Sequence, residues 1–171
     1  MSVRTIVKMG NQQLMTPALP LENPDDPNLT FLEQLLTDMQ DTMLEAGGIG
    51  IAAPQIGCHR RVMMFGFDAS ERYPDELAVP FTILINPSIR FLSEQWVDGW
   101  EGCLSVPGLR GLVPRCDKIE YTGYNQFGQW VSGYAEGFHA RVIQHEYDHL
   151  DGILYPHRIK DLRFFGFEDE I

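Results

Sequence analysis

The stretch FHARVIQHEYDHLDG, residues 138–152, governs how the rest of the chain is read. A helix is expected from about Gly137 to Leu150, with Gly152 as its terminator. Within it His145 and His149 stand four residues apart, on one helix face, so their imidazoles converge on one point. Glu146 sits beside the first of them. Toward the N-terminus the chain turns strand-like. Val62–Phe67, Phe81–Asn86 and Ile119–Tyr124 are short and rich in β-branched and aromatic residues. Asn125-Gln126-Phe127-Gly128 reads as a hairpin turn into Gln129–Ala135. Before the strands, Thr30 and Glu33 form a capping box. Leu32, Leu35, Leu36, Met39 and Met43 then recur at helical spacing until Gly47-Gly48. The order helix, strands, helix lacks βαβ alternation and predicts an α+β fold with a mainly antiparallel sheet.

The 171 residues suit one domain, with an irregular, proline-rich N-terminal arm over residues 1–28 and a short C-terminal tail over residues 159–171. A hydrophobic fraction of 44% and a charged fraction of 22% exclude disorder as the main state. No apolar run is long enough for a membrane span. Met1-Ser2-Val3-Arg4-Thr5 lacks a signal-peptide core, so a cytoplasmic protein is expected. The net charge of −11 repels phosphate backbones and anionic lipids, which excludes nucleic acid and membrane surfaces as expected partners. Cys58, Cys103 and Cys116 are too few for a disulfide framework and fit a reducing compartment.

A metal needs more than two protein ligands. His59 and His157 read as solvated loop histidines, and His139, six residues before His145, is turned away from the paired face. Cys103, in Trp100-Glu101-Gly102-Cys103-Leu104-Ser105-Val106-Pro107-Gly108, is the attractive third ligand. Gly102 lets the backbone come close, and Pro107-Gly108 is expected to force a turn that folds this loop over a site. A buried structural thiol is the competing reading of Cys103, and the preferred one of Cys58 and Cys116. In Gly48-Ile49-Gly50-Ile51-Ala52-Ala53-Pro54-Gln55 the small residues would let a substrate backbone lie against the chain, with Gln55 as a neutral donor. A tightly packed strand start explains the same residues equally well. Phe138, Arg141 and Val142 precede His145 by seven, four and three residues and share its face, as a pocket wall or as core. The Arg141 stem is expected along that wall with its head in solvent. Glu101 is a candidate partner for Arg115, an arrangement that would orient the cysteine loop.

The segments GIGIAAPQ, EGCLSVPG and QHEYDHL, in this order and spacing, resemble the three signature motifs of the peptide deformylases, over about Arg4 to Arg158. The resemblance implies an α+β fold with antiparallel sheets packed around a central H-E-x-x-H helix. It implies hydrolytic removal of the formyl group from N-formylmethionyl peptides, nascent chains at the ribosome among them, with release of formate. Cys103, His145 and His149 match the metal ligands, and Glu146 the general acid/base. Gln55 and the Leu104 N–H match the donors to the developing oxyanion. Gly50, beside Ile49, matches the glycine whose backbone pairs with the peptide. The resemblance further implies one divalent ion, Fe2+ as the working ion, with Zn2+, Ni2+ or Co2+ in preparations. A crowded Gly102–Leu104 loop would then select formyl against bulkier acyl groups.

Two rival readings use the same residues. A zinc peptidase shares H-E-x-x-H but takes a third His or Glu, which no downstream spacing supplies. A metal-stabilised binding domain would need a fourth protein ligand. At the C-terminus Gly166 interrupts the segment, so a long helix is not expected; Phe164, Phe165 and Phe167 should fold back on the body or bury in a partner subunit.

Overall fold

The first helix, α1, spans Thr30–Glu45 and buries Leu32, Leu35, Met39 and Met43, the apolar stripe that its sequence spacing predicts. This computed structural model describes residues 3–26, 30–68 and 76–171. Met1, Ser2, Pro27 and Asn28 of the predicted arm lie outside the described residues.

Eight strands follow α1: β1 Gly50–Ala52, β2 Val62–Phe67, β3 Val79–Phe91, β4 Trp96–Cys103, β5 Val106–Cys116, β6 Lys118–Tyr124, β7 Trp130–Glu136 and β8 Phe165–Phe167. Helix α2, Gly137–Leu150, stands between β7 and β8 in the chain. The strands form a five-stranded sheet in the order β1-β2-β3-β6-β7 and a three-stranded sheet in the order β4-β5-β8. Every named strand pair is antiparallel. The fold class is therefore α+β, as the element order suggests. Helix α2 touches β1, β2 and β7 of the larger sheet and β5 of the smaller one. Its inner face joins Met63, Phe65, Leu84 and Ile119 through Val142, Ile143 and Leu150 in one core.

Two sequence expectations need correction. The Gly102–Gly108 segment is not a loop closed by Pro107-Gly108. It is a tight β4–β5 hairpin that turns at Leu104-Ser105, with Pro107 and Gly108 already inside β5. The ladder runs in register from Trp96↔Cys116 to Gly102↔Arg110; the register then shifts, Pro107 to Leu109 bulge out of the β4 pairing, and Cys103↔Val106 closes the hairpin. The tail does fold back: β8 adds to β5 through Leu109↔Phe167 and Gly111↔Phe165. Only Phe165 packs inward, however, on Tyr155 at a ring distance of 6.2 Å. Phe164, in the short 3-10 turn before β8, and Phe167, at the far end of that strand, stay 45% and 62% exposed.

The arm is irregular apart from a 3-10 turn at Gln12–Met15, yet it is anchored. Leu14 is fully buried, and Arg4 Nε donates to Asp38 of α1 at 2.7 Å. The Val7 N–H donates to the Gln55 carbonyl and the Met9 N–H to the Ser105 carbonyl, both at 2.8 Å. The arm thus ties the segment after β1 to the β4–β5 hairpin.

Candidate metal and peptide site

The four-residue spacing on α2 brings the His145 and His149 rings to 5.2 Å of each other. Cys103, the last residue of β4, faces them. One donor atom from each of Cys103, His145 and His149 lies within 4.8 Å of the others. Cys103 Sγ is 3.3 Å from His149 Nε2. The sequence spacing of 42 residues between Cys103 and His145 carries no trace of this proximity; the hairpin and the helix create it. His139 lies outside the cluster, half-buried near Phe65 and Tyr121 at 5.9 and 6.3 Å. Cys116 is buried with its thiol donating to the Ser93 and Lys118 carbonyls, a structural role.

Glu101 explains how one of the imidazoles is aimed. It is 3% exposed, and His145 Nδ1 donates to its Oε2 at 2.8 Å. An ionised carboxylate only accepts, so Nδ1 carries a proton and Nε2 is the nitrogen left for a ligand. Arg115 grips the same carboxylate with two bonds, Nε to Oε1 at 2.8 Å and Nη2 to Oε2 at 2.9 Å. Burial alone would raise the Glu101 carboxyl, but the Arg115 guanidinium and the His145 bond hold it well below the ordinary carboxylate range. Arg115 Nη1 also donates to Asp148, which in turn accepts from Arg158 Nη2 at 2.7 Å. The expected Glu101–Arg115 contact is thus one part of a buried network reaching from β4 through β5 to α2 and the segment beyond it. Asp148 and Arg158 went unnoticed in the sequence. Asp148 sits inside the H-E-x-x-H stretch as a plausible surface residue, and no local spacing pairs it with Arg115.

Gln55 is 1% exposed and fixed at both ends of its amide. Oε1 accepts from the Ala52 N–H at 2.8 Å, while Nε2 faces Cys103 Sγ at 3.6 Å and Ser105 Oγ at 3.2 Å. Ser105 is a further participant that sequence reading missed: its own N–H donates to Cys103 Sγ at 3.4 Å. Leu104, at the hairpin turn, meets the glycine segment; a Cβ on Gly48 would stand 2.8 Å from Leu104 Cδ1. Gly50 is required for another reason than the sequence suggests. A Cβ there would collide with the Glu146 carboxylate, so the glycine makes room for the acid as well as for any approaching backbone.

A cavity of about 50 Å³ opens beside these groups, lined among others by Ile49, Gly50, Gly102, Leu104, Phe138 and Val142. Arg141 also lines it, but its head is not in solvent as expected. The guanidinium is drawn inward onto Glu101 at 2.9 Å and the Val113 carbonyl at 2.7 Å, because buried acceptors there would otherwise lack a donor.

The donor set fits a divalent cation. Glu146 Oε2 and His149 Nδ1 are buried without a hydrogen-bond partner among the described residues. Burial disfavours a proton on His145, yet the Cys103 sulfur and Glu101 raise its affinity well above the usual imidazole range. His149 is depressed well below it, by burial and by the neighbouring His145 and Arg115 charges. Sulfur and imidazole nitrogen together are a combination suited to later first-row metals. Burial pushes Glu146 up to about 7, in the range of a group that exchanges protons at neutral pH.

The sequence matches the polypeptide deformylase family over residues 3–164. It is 56% identical over 167 residues to a peptide deformylase of Ralstonia nicotianae, covering 98% of this chain and 93% of that one. A peptide deformylase of Bordetella pertussis is 54% identical over the same shares. Among solved structures, the Met-Ala-Ser-bound class I type b peptide deformylase of Acinetobacter baumannii aligns with a TM-score of 0.88 at 39% identity, covering 93% of this chain and all of that one. An actinonin complex of the Synechococcus elongatus peptide deformylase aligns at 0.80 and 32% identity, covering 94% of this chain and 81% of that one. With a family match over nearly its whole length and relatives above half identity, the chain belongs to the polypeptide deformylase family, metal-dependent hydrolases that take the formyl group from N-formylmethionine peptides.

Proposed function

We propose that Cys103, His145 and His149 hold one divalent ion, Fe2+ in the cell, and that Glu146 moves the proton in deformylation of N-formylmethionyl peptides. The observation that carries this reading is the convergence of one sulfur and two nitrogen donors within 4.8 Å on the helix face that also bears Glu146. An ion held by these three residues would supply Lewis-acid chemistry, acidifying water and polarising a carbonyl.

The chain's own residues do the rest. Glu146 takes a proton from the attacking water and returns it to the departing amine, while oxygen adds to the formyl carbon and the C–N bond breaks. Negative charge on the formyl oxygen is met by the Gln55 Nε2–H and the Leu104 backbone N–H. Gln55 suits this because its Oε1 is already held by Ala52 and cannot turn toward the oxyanion. The substrate backbone adds along Ile49-Gly50, where β1 is the outer strand of its sheet. Its methionine side chain enters the space bounded by Phe138, Arg141, Val142 and Gly102. The H-E-x-x-H helix is, in this reading, the centre of a single catalytic domain, with residues 1–28 as an arm and 159–171 as a tail. Its substrates include nascent chains, and its place is the cytoplasm.

The test is anaerobic purification, measurement of bound metal, and an assay of formate release from formyl-Met-Ala-Ser. Stoichiometric metal with formate release is expected. Internal cleavage of the peptide without formate would instead indicate a peptidase.

A further inference from the structure

Arg141 lines the candidate pocket, yet the proton chemistry above makes no use of it. Its guanidinium is clamped in place. Nη1 donates to Glu101 Oε1 at 2.9 Å, to the Val113 carbonyl at 2.7 Å and to the Gly99 carbonyl at 3.3 Å, and Nη2 donates to the Val97 carbonyl at 2.6 Å. These partners lie on β4 and β5, so the side chain bridges from α2 to the hairpin that bears Cys103. The hairpin has been shaped around it: a Cβ on Gly99 would stand 2.6 Å from the guanidinium carbon. A second cavity, of about 180 Å³, shares Phe138 and Arg141 with the first and is otherwise lined by residues such as Glu76, Asp98 and Asp117. These two shared side chains separate one space from the other.

We propose that Arg141 is a specificity-determining residue: it is the partition that ends the methionine pocket and keeps longer side chains out of the cavity behind it. The proposal rests on the reading of the site as a formylmethionyl-peptide pocket. An arginine suits the task because its methylene stem offers an apolar wall, while its planar head satisfies several backbone acceptors that a smaller side chain would leave bare. Held at four acceptors on two strands, it has no freedom to swing aside when a longer side chain presses on it.

The test uses metal-loaded enzyme and three peptides, formyl-Xaa-Ala-Ser with methionine, norvaline or the straight-chain 2-aminodecanoic acid at Xaa. In Arg141→Ala the ratio of kcat/KM for the 2-aminodecanoic peptide over the methionine peptide should rise by about tenfold or more, mainly through KM. Arg141→Lys, which keeps a cationic wall of similar reach, should bring the ratio back to within about threefold of the parent. Equal losses on both peptides, with the ratio unchanged, would show that Arg141 only supports the hairpin and would overturn the proposal. Should Arg141→Ala fail to fold, Gly99→Ala probes the same wall from behind. Its Cβ drives the guanidinium toward the pocket and should shift preference from methionine to norvaline; an unshifted preference overturns the proposal. Calorimetric binding of the three deformylated peptides should follow the same order. Absence of formate with all three peptides and the parent enzyme would count against the site's assigned reaction, separately from the partition.

Discussion

Glu146 shows how a single side chain acquires its chemistry from its surroundings. It is 5% exposed, one oxygen lacks a partner among the described residues, and burial lifts it to about 7. A carboxyl so placed gives and takes protons near neutrality where a surface glutamate would stay ionised. Glu146→Gln keeps the shape and leaves the three donors intact. It should retain metal at full stoichiometry while kcat/KM falls by about 10²–10⁴. Metal analysis beside a formate assay checks both halves, and activity within about tenfold of the parent would remove Glu146 from the reaction. Gly50 makes a complementary case. Because its missing Cβ is the space that Glu146 occupies, Gly50→Ala should push the carboxylate out of line. Turnover should fall by about a hundredfold with metal retained, since small misplacements at a reacting centre carry penalties of that order. An alanine variant with parental turnover would show that the carboxylate has room to move.

The β4–β5 hairpin and α2 owe their mutual placement to the buried Glu101–Arg115–Asp148 network rather than to either element's own sequence pattern. Alternation in β5 is broken by buried residues at Val113 to Cys116, because that end of the strand is covered by α2. Strand β8 covers the opposite end, where Phe165 meets Tyr155 and Tyr155 donates to the Leu109 carbonyl at 2.9 Å. Deleting residues 165–171 should strip β5 of this partner and expose Tyr155. One aromatic plus three ladder positions are worth about 2–3 kcal/mol, so the melting temperature should drop by roughly 5–10 °C. Calorimetry of the truncated chain gives the answer, and an unchanged melting temperature would make the tail an ornament of the fold.

At the level of the complete chain, the donor cluster unites residues from the β4–β5 hairpin and α2, with Gln55 and the arm's contacts to Gln55 and Ser105 closing around it. An ion bound there stabilises the assembled state alone, since the unfolded chain scatters Cys103 away from the two histidines. Removal of metal by a chelator under anaerobic conditions should therefore lower the melting temperature by several degrees. Adding back Fe2+ or Ni2+ should restore it. Identical melting curves with and without metal would detach the cluster from folding.

Much of this site can be read from neighbouring residues along the chain. Helical spacing puts His145 and His149 on one face and Val142 and Phe138 beside them, because the helix repeat is a local property of the backbone. The strands β2, β6 and β7 declare themselves through β-branched and aromatic runs, with β2 at the predicted bounds. The β4–β5 hairpin does not, since glycines, prolines and charges fill it and its strand character comes from pairing across a register no local pattern encodes. Nor does the sequence reveal that Arg141 turns inward, that Asp148 answers Arg115, or that Gly50 yields its space to Glu146. Those relations join residues up to 96 positions apart and depend on which buried charge needs which partner. That is settled only when the two sheets and α2 come together and water is excluded.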